Sequence, residues 1–185
     1  CYKIYKEESG QYLPYSVVPK QNSYFFVNVG TTGSTLSFKL SAYDIAGNES
    51  ALSAPLTATT VSMTDDQFLD MVQRATFRYF WDYGHPVSGL ARERLNSNET
   101  VTSGGSGFGI AAILAGIERS LVSREQAAAR IYKITSFLLN KADRFHGVFS
   151  HWLNGTTGKV IPFSQYDNGG DLVETAFLLQ GLLTA

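Results

Sequence analysis

Three acidic side chains occur close together near the carboxyl end of the sequence. Asp171 and Glu174 are three residues apart, and Asp167 precedes Asp171 by four residues. These spacings bring side chains to one face where a loop runs into a helix. The helix expected from about residue 170 is apolar on nearly every side, so we expect the acidic group to lie at the floor of a cleft. Carboxylates are costly to bury without a functional reason.

Hydrolysis of a glycosidic bond is a reaction that needs such a group. One carboxyl group protonates the leaving oxygen, and a second activates water or attacks the sugar. The start of a helix stabilises a negative charge, so Asp171 suits the role of base or electrostatic stabiliser better than that of acid. The alternative is that Asp171 and Glu174 only complement the helix dipole. The residues themselves leave both interpretations open.

Two long loops contain further side chains that suit a carbohydrate. Trp152 could stack on a pyranose ring, His151 could hydrogen-bond hydroxyls, and Arg92 and Arg94 offer planar donors. Packing within the loop and a surface ion-pair cluster are the alternatives for these residues. No spacing of His, Cys and acidic residues typical of a metal site occurs, and we expect no cofactor.

The glycine-rich segment 104–109 superficially resembles a phosphate-binding loop. It lacks the Lys and Ser or Thr of that motif, and no strand is predicted before it. The interpretation we favour is that its glycines allow close packing of helices.

The elements that must position these residues differ between the two halves of the chain. Residues 1 to about 61 alternate with a period of two, with strands predicted at the start, over 24–29, around 38–42 and over 52–58, and Gly47-Asn48 marks a hairpin turn. This pattern is typical of a β-sandwich. Helices are predicted over about 65–83, 107–119 and 124–142, and from about 170.

The predicted helices alternate in character. The first and third are amphipathic, whereas the second and fourth are apolar all round and are expected to be buried on every side. This alternation of outer and inner helices is what a two-layered ring requires. The loops over about 84–106 and 143–169 lie at the same side of the ring, where a site would be built.

Composition excludes several classes of protein. The chain has 185 residues and a net charge of −1, without the basic stripe that nucleic-acid binding needs. No apolar stretch reaches the ~18 residues of a membrane span. The single cysteine, Cys1, excludes an internal disulfide. It could carry a lipid, but the surrounding pattern favours a position within a strand.

Two family resemblances follow from longer stretches. The segment SFKLSAYDIAGNESALSAP resembles the last two strands of a fibronectin type III module, and CYKIYKEESGQY resembles its third strand. From about Thr64 onward the sequence resembles the bacterial glycoamylase-like domain of glycoside hydrolase family 144. The matching stretches are FLDMVQRATFRYFWDYGHPVSGLARER, VTSGGSGFGIAAILAGIERSLVSREQA, ADRFHGVFSHWLNGTTGK and DNGGDLVETAFLLQGLLTA.

The resemblance implies a chain of two parts. Residues 1–61 are expected to form a partial fibronectin type III-like β-sandwich, and residues 62–185 the first part of an (α/α)6 toroid. The implied activity is endo-β-1,2-glucanase with an inverting mechanism, whose acidic cluster falls on Asp167, Asp171 and Glu174. A further essential acid is expected beyond residue 185. A fragment of this kind is expected to be inactive alone.

The substrate, the location, the oligomeric state and the alternative functions are further expectations. The expected substrate is a β-glucan oligo- or polysaccharide, and the expected location is the periplasm or the exterior, with a lipid anchor left open. The full-length protein is expected to be a monomer. Hydrolysis of another glucan linkage and a catalytically silent carbohydrate-binding role are the alternatives.

Overall fold

The computed structural model describes residues 1–19 and 25–185. They form two compact units, Cys1–Asp66 and Gln67–Ala185. The predicted boundary at residues 61 and 62 lies in the short segment between the last strand of the first unit and the first helix.

The first unit contains one antiparallel sheet of four strands, in the order β2-β1-β3-β4. The strands are β1 Tyr2–Glu8, β2 Gln11–Val18, β3 Thr35–Ala42 and β4 Leu56–Thr59. A tight turn with positive φ at Ser9 and Gly10 joins β1 to β2. Pro14 is tolerated because β2 is an edge strand and the register with β1 shifts between Ile4 and Tyr5.

The predicted turn around Gly47 is confirmed. Asp44 Oδ1 accepts bonds from the backbone N–H groups of Ala46 and Asn48, at 2.9 and 2.8 Å. Gly47 has a φ of +90°, which suits glycine because it has no Cβ. Tyr43 and Glu49 form a bridge across the turn.

Two strand predictions in this unit were wrong in part. Tyr24 lies outside the described residues, and Phe25–Val29 do not form a strand. An apolar run favours a strand only where a neighbouring strand pairs with it, and the sheet of the described residues does not include this segment. Of the predicted strand over 52–58, only the end is observed, as β4. The described residues of the unit form one sheet, so the sandwich stays a prediction.

The second unit contains three of the four predicted helices and all but the first two residues of the other, the first in the chain. The four helices are α1 Asp65–Trp81, α2 Ser103–Glu118, α3 Arg124–Asn140 and α4 Leu172–Thr184. Ser123 and Gln126 form a reciprocal capping box at the start of α3, with bonds of 2.9 and 3.2 Å. None of the helices in the described part of the chain has the length and apolar character of a membrane span.

Short strands connect the long loops to these helices. β5 Thr100–Thr102 pairs with β8 Trp152–Asn154, and β6 Arg144–Phe145 pairs with β7 Val148–Phe149. The expectation that no strand precedes the glycine-rich segment was wrong, because β5 ends directly before α2. α2 also begins at Ser103, earlier than predicted.

Helices α2 and α4 pack backbone against backbone. A Cβ atom at Gly107 would overlap the Phe177 carbonyl, and one at Gly181 would overlap the Gly107 carbonyl. The prediction that the glycines allow close helix packing is therefore confirmed. Around this contact lies one apolar core, which includes Ile110, Ile113 and Leu178.

The burial of α2 and α4 on every side, which is expected in a complete ring of helices, is not found in this chain taken alone. Phe108 and Phe177 pack together but remain 57% and 44% exposed, and Leu183 is 83% exposed. Each helix presents an apolar side that no described element covers. The sequence alone predicted burial all round because the residues on this exposed side are apolar too.

Candidate active site

Asp171 caps the amino terminus of α4. Its extended backbone places Oδ1 to accept bonds from the N–H groups of Val173 and Glu174, at 2.9 and 3.0 Å. Its own backbone N–H donates to Phe149 O at 2.8 Å. The carboxylate is thus fixed by the first turn of the helix, as the capping preference of aspartate predicts.

Glu174 lies in that first turn and reaches the start of a second helix. Its Oε2 accepts a 2.9 Å bond from the backbone N–H of Gly104, at the beginning of α2. A helix start presents unpaired N–H groups and the positive end of the dipole. Glu174 therefore lies where two helix starts meet, and its Oε1 accepts no bond from the described residues.

His151 joins this acidic pair. Its Nδ1 lies 3.4 Å from Asp171 Oδ2, the carboxylate oxygen that faces away from the cap. The imidazole is partly exposed, at 29%. Backbone bonds fix the chain here, because Ser103 N–H donates to His151 O at 3.1 Å.

The segment 149–151 is held on both sides by buried hydroxyls. Ser103 Oγ donates to Ser150 O at 2.9 Å. Thr175 Oγ1 accepts from Phe149 N at 2.9 Å and donates to Phe149 O at 3.2 Å. The starts of α2 and α4 therefore fix the segment that joins β7 to β8, and with it His151.

Asp167 stands apart from this arrangement. It closes a tight turn in which its N–H donates to Ser164 O and its O accepts from Phe163 N, at 3.2 and 2.9 Å. Within residues 1–19 and 25–185, its carboxylate has no hydrogen-bond or ion-pair partner. The structure brings Asp171 and Glu174 together directly and does not bond Asp167 to either.

The two predicted arginines are engaged within the protein. Arg92 donates to the backbone carbonyls of Tyr83, at 3.1 Å, and Asn98. Arg94 forms a two-bond ion pair with Glu93. The Arg94 guanidinium holds the pKa of the Glu93 carboxyl below its ordinary value, and His151 acts in the same direction. Glu93 therefore also lies near the site, although the sequence offered no reason to select it.

Trp152 lies in an aromatic cluster beside the site. Its ring centroid is 4.5 Å from that of Phe163 and 5.7 Å from that of His151. Its Nε1 is buried and has no hydrogen-bond partner among the described residues. Sugar stacking by Trp152 stays a prediction, as does direct sugar binding by His151, Arg92 and Arg94.

Sequence reasoning missed three residues that build the site. Gly104 bonds to Glu174 in α4, and Ser103 and Thr175 bond to residues 149–151, so all three supply bonds between residues far apart in the sequence. The glycine run was a signal for close approach at Gly104, whereas nothing marked Thr175. No group of His, Cys, Asp and Glu in the described chain could hold a metal ion.

Comparison with known proteins identifies relatives of high similarity. No protein-family model matches the chain. It is 51% identical, over all of its length, to the exo β-1,2-glucooligosaccharide sophorohydrolase (non-reducing end) of Parabacteroides distasonis. It covers 26% of that protein.

Solved structures agree with this result. A β-1,2-glucanase from Parabacteroides distasonis superposes with a TM-score of 0.85 at 50% identity, covering 99% of this chain and 26% of that one. The endo-β-1,2-glucanase from Chitinophaga pinensis, in complex with sophorotriose and glucose, has a TM-score of 0.63 at 56% identity. That match covers 66% of this chain and 31% of the other. The chain is therefore similar in sequence and fold to bacterial proteins named as β-1,2-glucan hydrolases, and it spans about a quarter of the length of the relatives from Parabacteroides distasonis.

Proposed function

We propose that this chain forms part of a hydrolase of β-1,2-glucan, referred to below as the complete enzyme, and that Asp171 and Glu174 belong to its acid–base machinery. The single observation that carries the proposal is the position of Glu174. Its carboxylate lies where the starts of α2 and α4 meet, in a chain half identical to β-1,2-glucan hydrolases.

The bonding pattern suggests a different catalytic role for each of the two carboxylates. Asp171 Oδ1 is used by the cap, and Oδ2 faces His151, which suits a fixed negative charge near the reacting sugar. Glu174 has one oxygen anchored on Gly104 and one that accepts no bond from the described residues, which suits an acceptor for the proton of a water molecule. An inverting hydrolase needs such a base together with a separate acid.

The acid is assigned to the part of the complete enzyme outside residues 1–185. Asp171 and Glu174 both accept bonds from backbone N–H groups at helix starts, which suits an acceptor rather than a donor. Asp167, in its turn before α4, is proposed to contact the substrate. Trp152, His151, Arg92 and Arg94 are proposed to line the sugar-binding cleft.

The same similarity supports the finer fold proposals. The uncovered apolar side of α2 and α4 fits an (α/α)6 toroid in which further helices pack against Phe108, Phe177 and Leu183. Residues 1–61 are proposed to be a fibronectin type III-like module and residues 62–185 the first part of the toroid. We propose a monomeric complete enzyme located in the periplasm or outside the cell.

The test is a comparison of substrates. The complete enzyme is incubated with linear β-1,2-glucan, sophoro-oligosaccharides, laminarin and starch, and new reducing ends are measured. The proposal expects cleavage of the β-1,2-linked substrates, with the initial product in the inverted anomeric form by NMR. Release of sophorose alone or of mixed oligosaccharides distinguishes exo from endo action, since relatives of both kinds exist.

Other outcomes would contradict the proposal in different ways. Cleavage of laminarin or starch alone would assign another linkage. Binding of β-1,2-glucan without cleavage would assign a carbohydrate-binding role. In either case the proposed substrate or reaction would be wrong.

A further inference from the structure

We infer that His151 is a positioning residue, which holds the second carboxylate oxygen of Asp171 in the orientation that the reaction needs. The inference rests on the proposed function, because it assigns a role within the proposed active site. In this inference His151 contacts the Asp171 carboxylate rather than the sugar hydroxyls.

The first observation is that the two oxygens of Asp171 have different partners. Oδ1 accepts both capping bonds from the start of α4. Oδ2 accepts neither of these bonds, and it lies 3.4 Å from His151 Nδ1. The separation is slightly longer than the ~2.7–3.2 Å of an ordinary hydrogen bond. Catalytic contacts of this kind are often long before substrate binds and then shorten.

The second observation is that His151 and Glu174 are held by adjacent residues at the start of α2. Ser103 holds the chain at 150–151 through its N–H and its hydroxyl. The next residue, Gly104, donates to Glu174 Oε2 at 2.9 Å. Two adjacent residues at the start of α2 therefore fix both His151 and Glu174. This arrangement sets Asp171 and Glu174 relative to each other.

The third observation is that the imidazole ring has little freedom to turn. Its centroid lies 4.9 Å from that of Phe163, with 32° between the ring planes, and Trp152 packs at its edge. Glu93 is the other acid near it, and this carboxylate is already paired with Arg94. The ring is therefore held with Nδ1 3.4 Å from Asp171 Oδ2, which leaves Asp171 as the acid it can orient.

The chain offers two substitutions that separate the role of the donor from that of the ring. His151→Asn keeps an N–H donor close to the position of Nδ1, because the Asn amide and Nδ1 are the same number of bonds from Cα. His151→Phe keeps an aromatic ring but removes the donor. His146→Asn is the matched control, because His146 is exposed and its positive φ of 49° is tolerated by Asn.

Steady-state kinetics of the complete enzyme on sophoro-oligosaccharides tests the inference. For His151→Phe we expect kcat to fall about 10- to 100-fold with KM nearly unchanged, because misplacing a reacting group lowers the rate more than the affinity. His151→Asn should keep most of the wild-type kcat, and His146→Asn should match the wild type. An increase in KM alone for His151→Phe would restore the sugar-binding role, and equal losses of kcat for His151→Phe and His151→Asn would show that a donor at the position of Nδ1 is not what the reaction needs. Either result would overturn the inference.

A measurement without substrate keeps this test separate from the proposed function. The melting temperatures of His151→Phe, Asp171→Asn and the double variant are compared in the complete enzyme. Interacting residues give non-additive changes, whereas independent ones add. Non-additive shifts support the contact even if β-1,2-glucan proves not to be the substrate. Additive shifts would overturn the inference even if β-1,2-glucan is cleaved.

Discussion

Gly104 and Glu174 lie so close that no larger residue fits at position 104 without moving the carboxylate. A Cβ at Gly104 would be 2.6 Å from Glu174 Oε2 and 2.9 Å from its Cδ. The absence of a side chain is therefore what lets Glu174 reach the start of α2. The two residues are 70 positions apart in the sequence.

Gly104→Ala is expected to lower the rate without unfolding the enzyme. The added methyl group must displace Glu174, and a misplacement of about 1 Å can cost ~100-fold in rate. Stability should change little, because alanine favours a helix and the displaced group is a flexible side chain. Measured kcat and thermal unfolding of the complete enzyme check both parts.

The matched control for this change is Gly169→Ala. Gly169 lies in the same loop as Asp167, and a Cβ there meets no atom within 4 Å. The Gly169→Ala enzyme should retain most of the wild-type kcat. Equal losses of kcat for Gly104→Ala and Gly169→Ala would mean that Gly104 acts in some other way than by admitting Glu174.

Asp171 allows charge to be separated from helix capping. Asn caps a helix about as well as Asp, whereas Ala costs about 1 kcal/mol of stability. Asp171→Asn should therefore lower kcat by ~100-fold or more, as expected for loss of an acid–base group, with little change in the free energy of unfolding. Asp171→Ala should lower both.

Denaturant unfolding and turnover, measured on Asp171→Asn and Asp171→Ala, test whether the charge serves the reaction and the cap serves stability. Glu174→Gln should behave like Asp171→Asn in rate. If Asp171→Asn and Glu174→Gln both keep turnover within a few-fold of the wild type, the two carboxylates only complement the helix dipole and take no part in the reaction.

Local patterns predicted the elements of the second unit well, because a helix depends on neighbours three and four positions away. All four helices and the cap at Ser123 could be predicted on that basis. Asp171 and Glu174 were found for the same reason. Their spacing is short, and the helix start that orders them is visible in the sequence.

The contacts that complete the site could not be predicted in this way. Gly104 meets Glu174 where α2 packs on α4, and Ser103 meets Ser150 beside the pairing of β5 with β8. No spacing along the chain encodes such a meeting. The short pairs β5–β8 and β6–β7 were missed because strands of two or three residues show no periodicity. The strand predicted over 24–29 was wrong in its described part because strand pairing depends on a partner elsewhere in the chain.

Thr175 is expected to contribute to stability through Phe149. Its buried hydroxyl bonds both the N–H and the carbonyl of Phe149. Thr175→Val keeps the shape but leaves the Phe149 N–H unsatisfied, which should cost ~1–3 kcal/mol of unfolding free energy. Thr175→Ser keeps the hydroxyl and should recover most of this loss. A Val variant as stable as the wild type would contradict the prediction.

His85 is expected to make stability depend on pH. It is buried, and its Nδ1 accepts from the N–H groups of Val87 and Ser88 at 3.3 and 3.5 Å. Burial lowers the pKa of His85, with Arg92 and Lys133 acting in the same direction and Glu99 against it. The unfolded chain therefore binds the proton more readily, near the ordinary pKa of about 6.5. This contribution to stability is present above that pH and is lost as the pH falls towards the folded pKa.

His85→Asn is the variant that tests this effect. Asn keeps an acceptor for the same two N–H groups but does not titrate. Between about pH 7.5 and pH 5.5, the wild type should lose more unfolding free energy than the variant. Parallel curves for the two proteins would show that His85 titrates alike in the folded and unfolded states.

The contact between α2 and α4 should tolerate no side chain at Gly107 or Gly181. A Cβ at either position overlaps a backbone carbonyl of the facing helix, and backbone yields far less readily than a side chain. Forcing the helices apart should cost about 1–3 kcal/mol or more for each Gly→Ala change, although alanine favours a helix by up to ~1 kcal/mol. Gln180→Ala, at the exposed neighbour of Gly181, should stay within about 0.5 kcal/mol of the wild type. Denaturant unfolding of the three variants measures these differences, and a Gly107→Ala protein as stable as the Gln180→Ala control would mean that the two helices are not held in backbone contact.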